Sequence, residues 1–261
     1  MTMNMISKRS LWFICLFNMP LLIIACTDSR QAHQPASKSD HRPALTRDRE
    51  VVYHFTRLFQ KRQRDTWRKN RWLGVKTWQN PNDAWIVQEI LSEQKPDFMI
   101  ETGTQYGGSA MLWATVLREV NPDARVITMD IQDNTRSARK RALFRERVDF
   151  LLGSSVDPQI VANVRKRVDG KKVVVLLDSN HSKKHVLAEL HAYAPMVNVG
   201  SYIIVQDGIL GNVIQSPPGL EGGPRTAVRE FLATNANFEI DKSRERLLHN
   251  YTLDGYLKRI K

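Results

Sequence analysis

The sequence predicts a doubly wound α/β domain, with a mostly parallel sheet and helices on both faces, and three observations carry that prediction. Five apolar runs of strand length recur along the chain, helical stretches separate them, and a glycine-rich turn follows the first run. Continuous apolar strands alternating with helices indicate a parallel sheet covered on both sides. A glycine turn at the carboxyl end of a strand is where such sheets bind ligands.

The N-terminus comes before that pattern. A chain of 261 residues, 42% of them hydrophobic, supports one substantial core with about fifty residues to spare. Lys8 and Arg9 precede the apolar run Leu11–Ala25, whose fifteen residues are interrupted by Asn18 and Pro20. A spanning helix needs about twenty apolar residues, so the run suits the core of a signal peptide. It ends in Ile23-Ile24-Ala25-Cys26, which resembles a bacterial lipobox, in which the cysteine is diacylated and becomes the new N-terminus. Residues 1–26 are therefore expected to be a lipoprotein-type signal segment that attaches the protein to the membrane of the cell envelope. An uncleaved anchor is the simpler alternative. Residues 27–50, rich in Ser, Asp, Arg, Gln and Pro, read as a polar tether, leaving 51–261 as the folded domain. Both cysteines, Cys15 and Cys26, precede that domain, which excludes an internal disulfide or a thiolate metal site from it.

The excess of 39 Lys and Arg over 27 Asp and Glu gives a net charge of +12 and favours anionic partners without identifying one. From Val51 to Trp72, Val51, Phe55, Leu58 and Phe59 fall at helical spacing, with seven basic residues between Arg57 and Arg71. This describes a basic amphipathic helix. The favoured reading packs its apolar stripe on the domain; the other lays it on an anionic membrane surface. Trp67 and Trp72 interleave with the basic residues, but no nucleic-acid recognition signature accompanies them, so no nucleic-acid partner is expected.

Next in order, a helix is expected over 83–94, stopped by Pro96, with Ala84, Val87, Ile90 and Leu91 on one face. The strands follow at 97–101, 124–131, 148–153, 172–178 and 201–207, with helices at 109–120 and 185–194 between them. After the first strand, ETGTQYGGSA turns through Gly103, Gly107 and Gly108 into the helix that begins near Ser109. Glycine permits positive φ and close backbone approach, and the free N–H groups at a helix start suit a polar ligand. The spacing matches neither G-x-G-x-x-G nor a P-loop, which disfavours nucleotide hydrolysis. Asp130 ends the second strand, 27 residues beyond Gly103, where a carboxylate accepts both ribose hydroxyls of an adenosine moiety. A purely structural turn in some other Rossmann-like protein is the competing reading.

Two more strands end in acids. Asp178 closes the fourth run, and Gln206 and Asp207 close the fifth, all at the carboxyl edge beside the glycine loop. Two carboxylates and an amide oxygen make a hard, oxygen-rich site for Mg²⁺. Such a metal would acidify a substrate hydroxyl, and His181, three residues past Asp178, is the candidate base. His181 and His185 stand four residues apart, but without a third ligand the pair is a poor zinc signature. The stretch 208–225, rich in Gly and Pro, is the expected lid.

Several stretches together resemble the cephalosporin hydroxylase and rhamnosyl O-methyltransferase family. They are RWLGVKTWQNPNDAWIVQEI, PDFMIETGTQYGGSA, GSSVDP, VVVLLDSNHSKKHVLAELHAYAPMVNVGSYIIVQD, FLATNANFEID and the terminal GYLKR, in the family's order from about residue 71 to the end. The resemblance implies a Rossmann-like fold and an oligomeric enzyme that uses S-adenosyl-L-methionine. It implies cofactor contacts from Glu101, Gly103, Tyr106, Gly107, Ser109, Asp130 and Ser155; the acid that ends the first strand, Glu101, is expected to hold the methionine amino group directly or through water. It also places a divalent metal on Asp178, Gln206 and Asp207, the site read above for Mg²⁺; with the base read from the residues alone, Asp178 and His181 make the expected catalytic pair. The sequence departs from the family twice: Gln206 stands where members carry Glu, removing one negative charge, and Ser154 stands where Gly-Asp-Ser is expected. An iron site of two histidines and a carboxylate is not evident.

The expected activity is methyl transfer to a hydroxyl of a sugar, glycolipid or other small molecule. The export signal conflicts with a cofactor made in the cytoplasm. An envelope enzyme, a cytoplasmic enzyme starting further downstream, and a tethered member that has lost catalysis and binds an envelope glycan each resolve the conflict differently.

Overall fold

The computed structural model describes residues 42–211, 213–214 and 222–261. The lipobox, Cys26 and the signal segment lie outside the described residues, as do 212 and 215–221 of the expected lid. The described residues form α1 (Arg42–Lys61), a small hairpin of β1 (Arg71–Trp72) and β2 (Val75–Lys76), and α2 (Pro81–Gln94). There follow β3 (Phe98–Thr102), α3 (Gly108–Val120), β4 (Arg125–Asp130), α4 (Ala142–Arg147), β5 (Val148–Leu152) and α5 (Pro158–Arg167). The chain ends through β6 (Val173–Leu177), α6 (Lys183–Tyr193), β7 (Tyr202–Val205), α7 (Gly223–Thr234), β8 (Phe238–Ile240) and β9 (Tyr256–Arg259).

The main sheet has seven strands in the order β5-β4-β3-β6-β7-β9-β8. The five strands from β5 to β7 pair in parallel, whereas β9 runs antiparallel to both β7 and β8. All five expected strands are present, the first shifted by one residue and the other four trimmed by one to three, and the antiparallel end is an addition. The strand order reverses between β3 and β6, so the crevice for a ligand opens at the carboxyl ends of those two strands.

The period of two explains the unbroken apolar runs. In β6, Val173, Val175 and Leu177 belong to one buried layer with α5, α6 and α7, and Val174 and Leu176 to the opposite layer with α2 and α3. Trp113 on α3 and Tyr193 on α6 are the largest fully buried side chains of the two layers. Helix α2 is capped by Asn80, whose side chain accepts from the Asn82 amide, with Pro81 in the first turn. It buries Ile86, Val87, Ile90 and Leu91, while the expected Ala84 is only partly covered.

Helix α1 starts at Arg42, inside the stretch read as a tether, and ends at Lys61, well short of the expected Trp72, which lies in β1; its buried face only partly matches the one expected. Val51, Phe55 and Leu58 are 61%, 48% and 54% exposed. Contact with the domain runs through Thr56, which meets His249 Nδ1 at 3.1 Å, through Gln60, which accepts from the Tyr251 hydroxyl at 3.1 Å, and through the covered edge of Phe55, 4.8 Å from the His249 ring. Phe59 packs edge-on against His249 and Tyr251. The docking platform is polar and aromatic, so it selects the face of α1 that can hydrogen-bond. Among the described residues no helix is long and apolar enough to cross a membrane.

Candidate active site

The site is built where β3 and β6 end side by side. Their register pairs Thr102 with Leu177, so the next residues, Gly103 and Asp178, are neighbours. Gly103 has φ +86°, and a Cβ there would lie 2.1 Å from the Asp178 carbonyl oxygen. Only glycine fits so close a passage. The loop is then pinned to β4: the Gly103 amide donates to the Met129 carbonyl at 2.8 Å, and the Gln105 amide donates to Asp130 Oδ2 at 2.8 Å. Gly107, with φ +81°, precedes the first turn of α3. A Cβ on Gly108 would meet the Lys76 carbonyl and the Thr77 hydroxyl at 2.1 Å, because the β1–β2 hairpin closes over that helix start.

Two chambers open on either side of this loop, sharing Gly103, Gln105, Asp178 and Ser179 in their walls. The first, of about 520 Å³, is lined by Met129, Asp130, Gly153, Ser154, Ser155 and His185. Asp130 uses one oxygen for the Gln105 amide and the other for the Gln132 amide, at 2.8 and 3.1 Å. Each carboxylate oxygen keeps a further lone pair for a ligand hydroxyl. Ser155 donates to Glu189 Oε1 and lies 3.0 Å from His185 Nε2. Ser179 donates to the same Glu189 oxygen at 2.6 Å. Glu189 is fully buried, and its second oxygen has no partner among the described residues.

The second chamber, of about 340 Å³, holds the acids expected at its floor. Asp178, His181 and Asp207 each present a ligand atom within 4.8 Å of the others. His181 Nε2 lies 3.1 Å from Asp207 Oδ2, and Asp207 holds a positive φ of 59° that turns its side chain toward the cluster. Burial, then the neighbouring charge of Asp207 and that of Glu101, push the Asp178 carboxyl well above the usual carboxylate range. Two crowded carboxylates and an imidazole fit a divalent cation, which would relieve that repulsion. The donor set accepts Mg²⁺, and the imidazole also suits a softer divalent ion.

Gln206 is placed one step behind this cluster. It is 4% exposed and donates through Nε2 to Gln79 Oε1 at 3.0 Å, while Gln79 Nε2 donates to Asp178 Oδ2 at 2.7 Å. Glu101 is also set back. It is fully buried, lines neither chamber, and accepts from Trp113 Nε1 at 2.9 Å and the Thr128 hydroxyl at 2.6 Å. Burial raises its pKa to about 7 against those hydrogen bonds and one from Ser109. Tyr106 and Ser109 do line the second chamber. His181 and His185 turn to different partners, Asp207 and the Ser155–Glu189 group.

Sequence reasoning assigned no role to Gln79, Trp78, Arg68, Lys76, Tyr251, His185 or Glu189, all of which touch these chambers or their supporting bonds. The available signal was the polar QN pair before Pro81, between a Trp and a helix start.

Comparison with known proteins agrees with this geometry. Residues 64–260 match the family model described as Rhamnosyl O-methyltransferase/CmcI. A rhamnosyl O-methyltransferase of Mycobacterium tuberculosis strain H37Rv is 36% identical over 169 residues, covering 63% of this chain and 67% of that protein. The rhamnosyl O-methyltransferase of Mycobacterium leprae is 32% identical over 202 residues, covering 74% of this chain and 84% of that one. A solved CmcI structure with Mg and SAM superimposes with a TM-score of 0.57 at 17% identity, over 75% of this chain and 78% of that chain. An apo CmcI structure gives 0.56 at 17% identity, over 74% and 77%. At such identity these structures show the shared fold.

Proposed function

Because the chain belongs to the rhamnosyl O-methyltransferase/CmcI family, we propose that it transfers the methyl group of S-adenosylmethionine to a hydroxyl of a sugar or glycolipid, with a divalent cation on Asp178 and Asp207. The observation that carries this reading is the adjacency of the two chambers, which share Gly103, Gln105, Asp178 and Ser179 in their walls. A ligand bound across the Gly103 loop reaches from Asp130 to the Asp178–His181–Asp207 cluster.

In this reading the adenosine lies in the first chamber, its ribose hydroxyls on Asp130 and its base near Ser155. The methionine portion passes Gly103, Tyr106 and Ser109. Glu101 acts from beneath the loop: Ser109, which bonds to it and lines the chamber, links its charge to the methionine amino group. Asp178 and Asp207 would hold the cation, which when bound would supply the Lewis acidity that lowers the pKa of the acceptor hydroxyl. His181 takes the hydroxyl proton. The oxygen forms its bond to the methyl carbon as the carbon–sulfur bond breaks, and the sulfonium departs as the neutral thioether of S-adenosylhomocysteine. Gln79 holds Asp178 in its rotamer, and Gln206 holds Gln79.

Calorimetry of the purified protein with S-adenosylmethionine, with and without Mg²⁺, tests the proposal. Micromolar binding, followed by Mg²⁺-dependent methyl transfer to a rhamnoside, is the expected result. Absence of cofactor binding would sink the enzyme reading and favour the second one, a glycan-binding member. That alternative is motivated by Gln206, an amide where the family carries a carboxylate.

A further inference from the structure

The second chamber carries two cations whose role the methyl transfer step leaves unused. The Arg68 guanidinium lies over the Trp78 ring at 4.5 Å and over the Trp67 ring at 5.3 Å. The Lys76 ammonium lies over the Tyr106 ring at 4.8 Å, and Tyr106 meets Trp78 edge-on at 5.2 Å. All five side chains line the same chamber as Asp178, His181 and Asp207. Among the described residues neither Arg68 nor Lys76 has an acidic partner, although the adjacent Lys69 pairs with Asp65 at 3.5 Å. Among the described residues, Arg68 Nε and Trp78 Nε1 are buried donors without an acceptor.

An unpaired surface cation is ordinary in a chain of net charge +12. Stacking is what sets this pair apart. Aromatic faces fix the direction of each cation and leave its N–H groups for a ligand, and a guanidinium fork matches a carboxylate or phosphate. The indole and phenol faces also offer apolar surface to the C–H side of a sugar ring. The chamber is thus polarised, with carboxylates at one end and cations held on aromatic rings in its wall. An anionic substituent is repelled from the first and attracted to the second, which fixes the orientation of whatever carries it.

We propose that the acceptor is an anionic sugar, a pyranose bearing a phosphate or a carboxylate that pairs with Arg68 and Lys76 while its hydroxyl lies at the Asp178–Asp207 end. This rests on the methyltransferase reading and narrows its substrate class. Phosphate and carboxylate share the recognition chemistry, and the probes separate them.

The test is calorimetry of the full chain saturated with S-adenosylhomocysteine and Mg²⁺, using methyl α-L-rhamnoside, L-rhamnose 1-phosphate and methyl β-D-glucuronide. At least one anionic probe should bind ten-fold or more tightly than the neutral glycoside. Arg68→Gln and Lys76→Met should each abolish that preference and leave S-adenosylhomocysteine affinity unchanged. Preference for the phosphate alone, or for the uronide alone, names the anion. Equal binding of all three probes overturns the proposal. Loss of S-adenosylhomocysteine affinity in the two variants also overturns it, because the cations then serve the methionine carboxylate. If the wild-type chain binds no S-adenosylhomocysteine, the methyltransferase reading fails first and this one with it.

Discussion

Gln79 donates its side-chain amide to Oδ2 of Asp178 across 2.7 Å, although the two residues stand 99 positions apart. Gln79 follows the hairpin and caps no helix; Asp178 ends the central strand of the sheet. The bond therefore ties the N-terminal hairpin segment to the candidate metal cluster, and Gln206 completes the chain behind it. Replacing Gln79 with Leu removes a hydrogen bond to a carboxylate and leaves the buried Gln206 amide without its acceptor. Such losses cost about 1–3 kcal/mol each. Gln79→Leu is expected to lower kcat/KM by about ten-fold or more and to reduce Mg²⁺ affinity, with the circular dichroism spectrum unchanged. Unaltered transfer would show that Asp178 needs no orienting partner.

Gly103→Ala tests the loop passage. Its added methyl would sit 2.1 Å from the Asp178 carbonyl oxygen, on a backbone with φ +86°. Both penalties act at once, and left-handed strain alone costs about 1–3 kcal/mol. The variant should melt several degrees lower and lose detectable S-adenosylmethionine binding in calorimetry. Retained binding would mean that the loop is not the cofactor's seat.

Glu101 gives a pH prediction whose sign follows from its burial. Its pKa rises from 4.5 to about 7 in the folded chain, with burial as the main cause. The folded state holds the proton more tightly than the unfolded one, so this group's contribution is complete below pH 4.5 and is lost as pH rises through 7. The loss is on the order of 3 kcal/mol at 1.36 kcal/mol per pKa unit. In Glu101→Gln the amide oxygen still accepts from Trp113, while the Thr128 hydroxyl can turn its donor to Thr104, 2.6 Å away. The variant is expected to fold and to show a flatter melting temperature between pH 5 and 7.5. A pH profile parallel to wild type would place the titration elsewhere, with the equally raised Asp83 the next residue to replace.

The sheet was legible because its strands are unbroken apolar runs, as in Val173–Leu177, which a parallel sheet buries on both faces. Strands β8 and β9 escaped, since FEI and YLKR are short and carry charges that sit at partly exposed positions. Helix α5 was equally hidden: PQIVANVRKR buries only Val164 fully, although Asp157 caps it on the Gln159 and Ile160 amides. In the site, Asp130, Asp178 and Asp207 could be named because strand ends fix where they project. Gln79, Arg68 and Lys76 come from segments whose position depends on long-range packing, and local pattern says nothing about that. The amphipathic stretch 51–72 makes the same point in reverse: its helix stops at Lys61, the rest turns into β1, and of the expected stripe Val51, Phe55 and Leu58 stay largely exposed while Phe59 packs on the domain.

Cys26 tests the localisation proposed from the sequence. If the lipobox is used, a palmitate analogue labels the protein in cells and the protein sediments with membranes. Cys26→Ser should remove the label and shift the protein to the soluble fraction. An unlabelled, soluble wild-type protein of full length is incompatible with the lipoprotein proposal, whereas a soluble product that begins near Val51 would point to a start further downstream.

Gln206 is the departure on which the metal proposal can be tested most directly. At present its Nε2 donates to Gln79 Oε1, which fixes the Gln79 amide so that its own Nε2 faces Asp178. Gln206→Glu replaces that donor with two acceptors. Gln79 must then turn its NH₂ group toward residue 206 and release Asp178 Oδ2, while a third carboxylate joins Asp178 and Asp207. Both changes raise the negative charge available to a cation in a partly buried site, where a charge pair is worth more than in water. Mg²⁺ should therefore bind about ten-fold or more tightly to Gln206→Glu, since 1.4 kcal/mol of added attraction is enough for that factor. Without metal the same variant should be less stable than wild type, because three crowded carboxylates repel. Calorimetry with Mg²⁺ and melting curves with and without EDTA read both effects. Unchanged Mg²⁺ affinity together with lowered metal-free stability would show that residue 206 feels the cluster electrostatically but does not help to hold the cation.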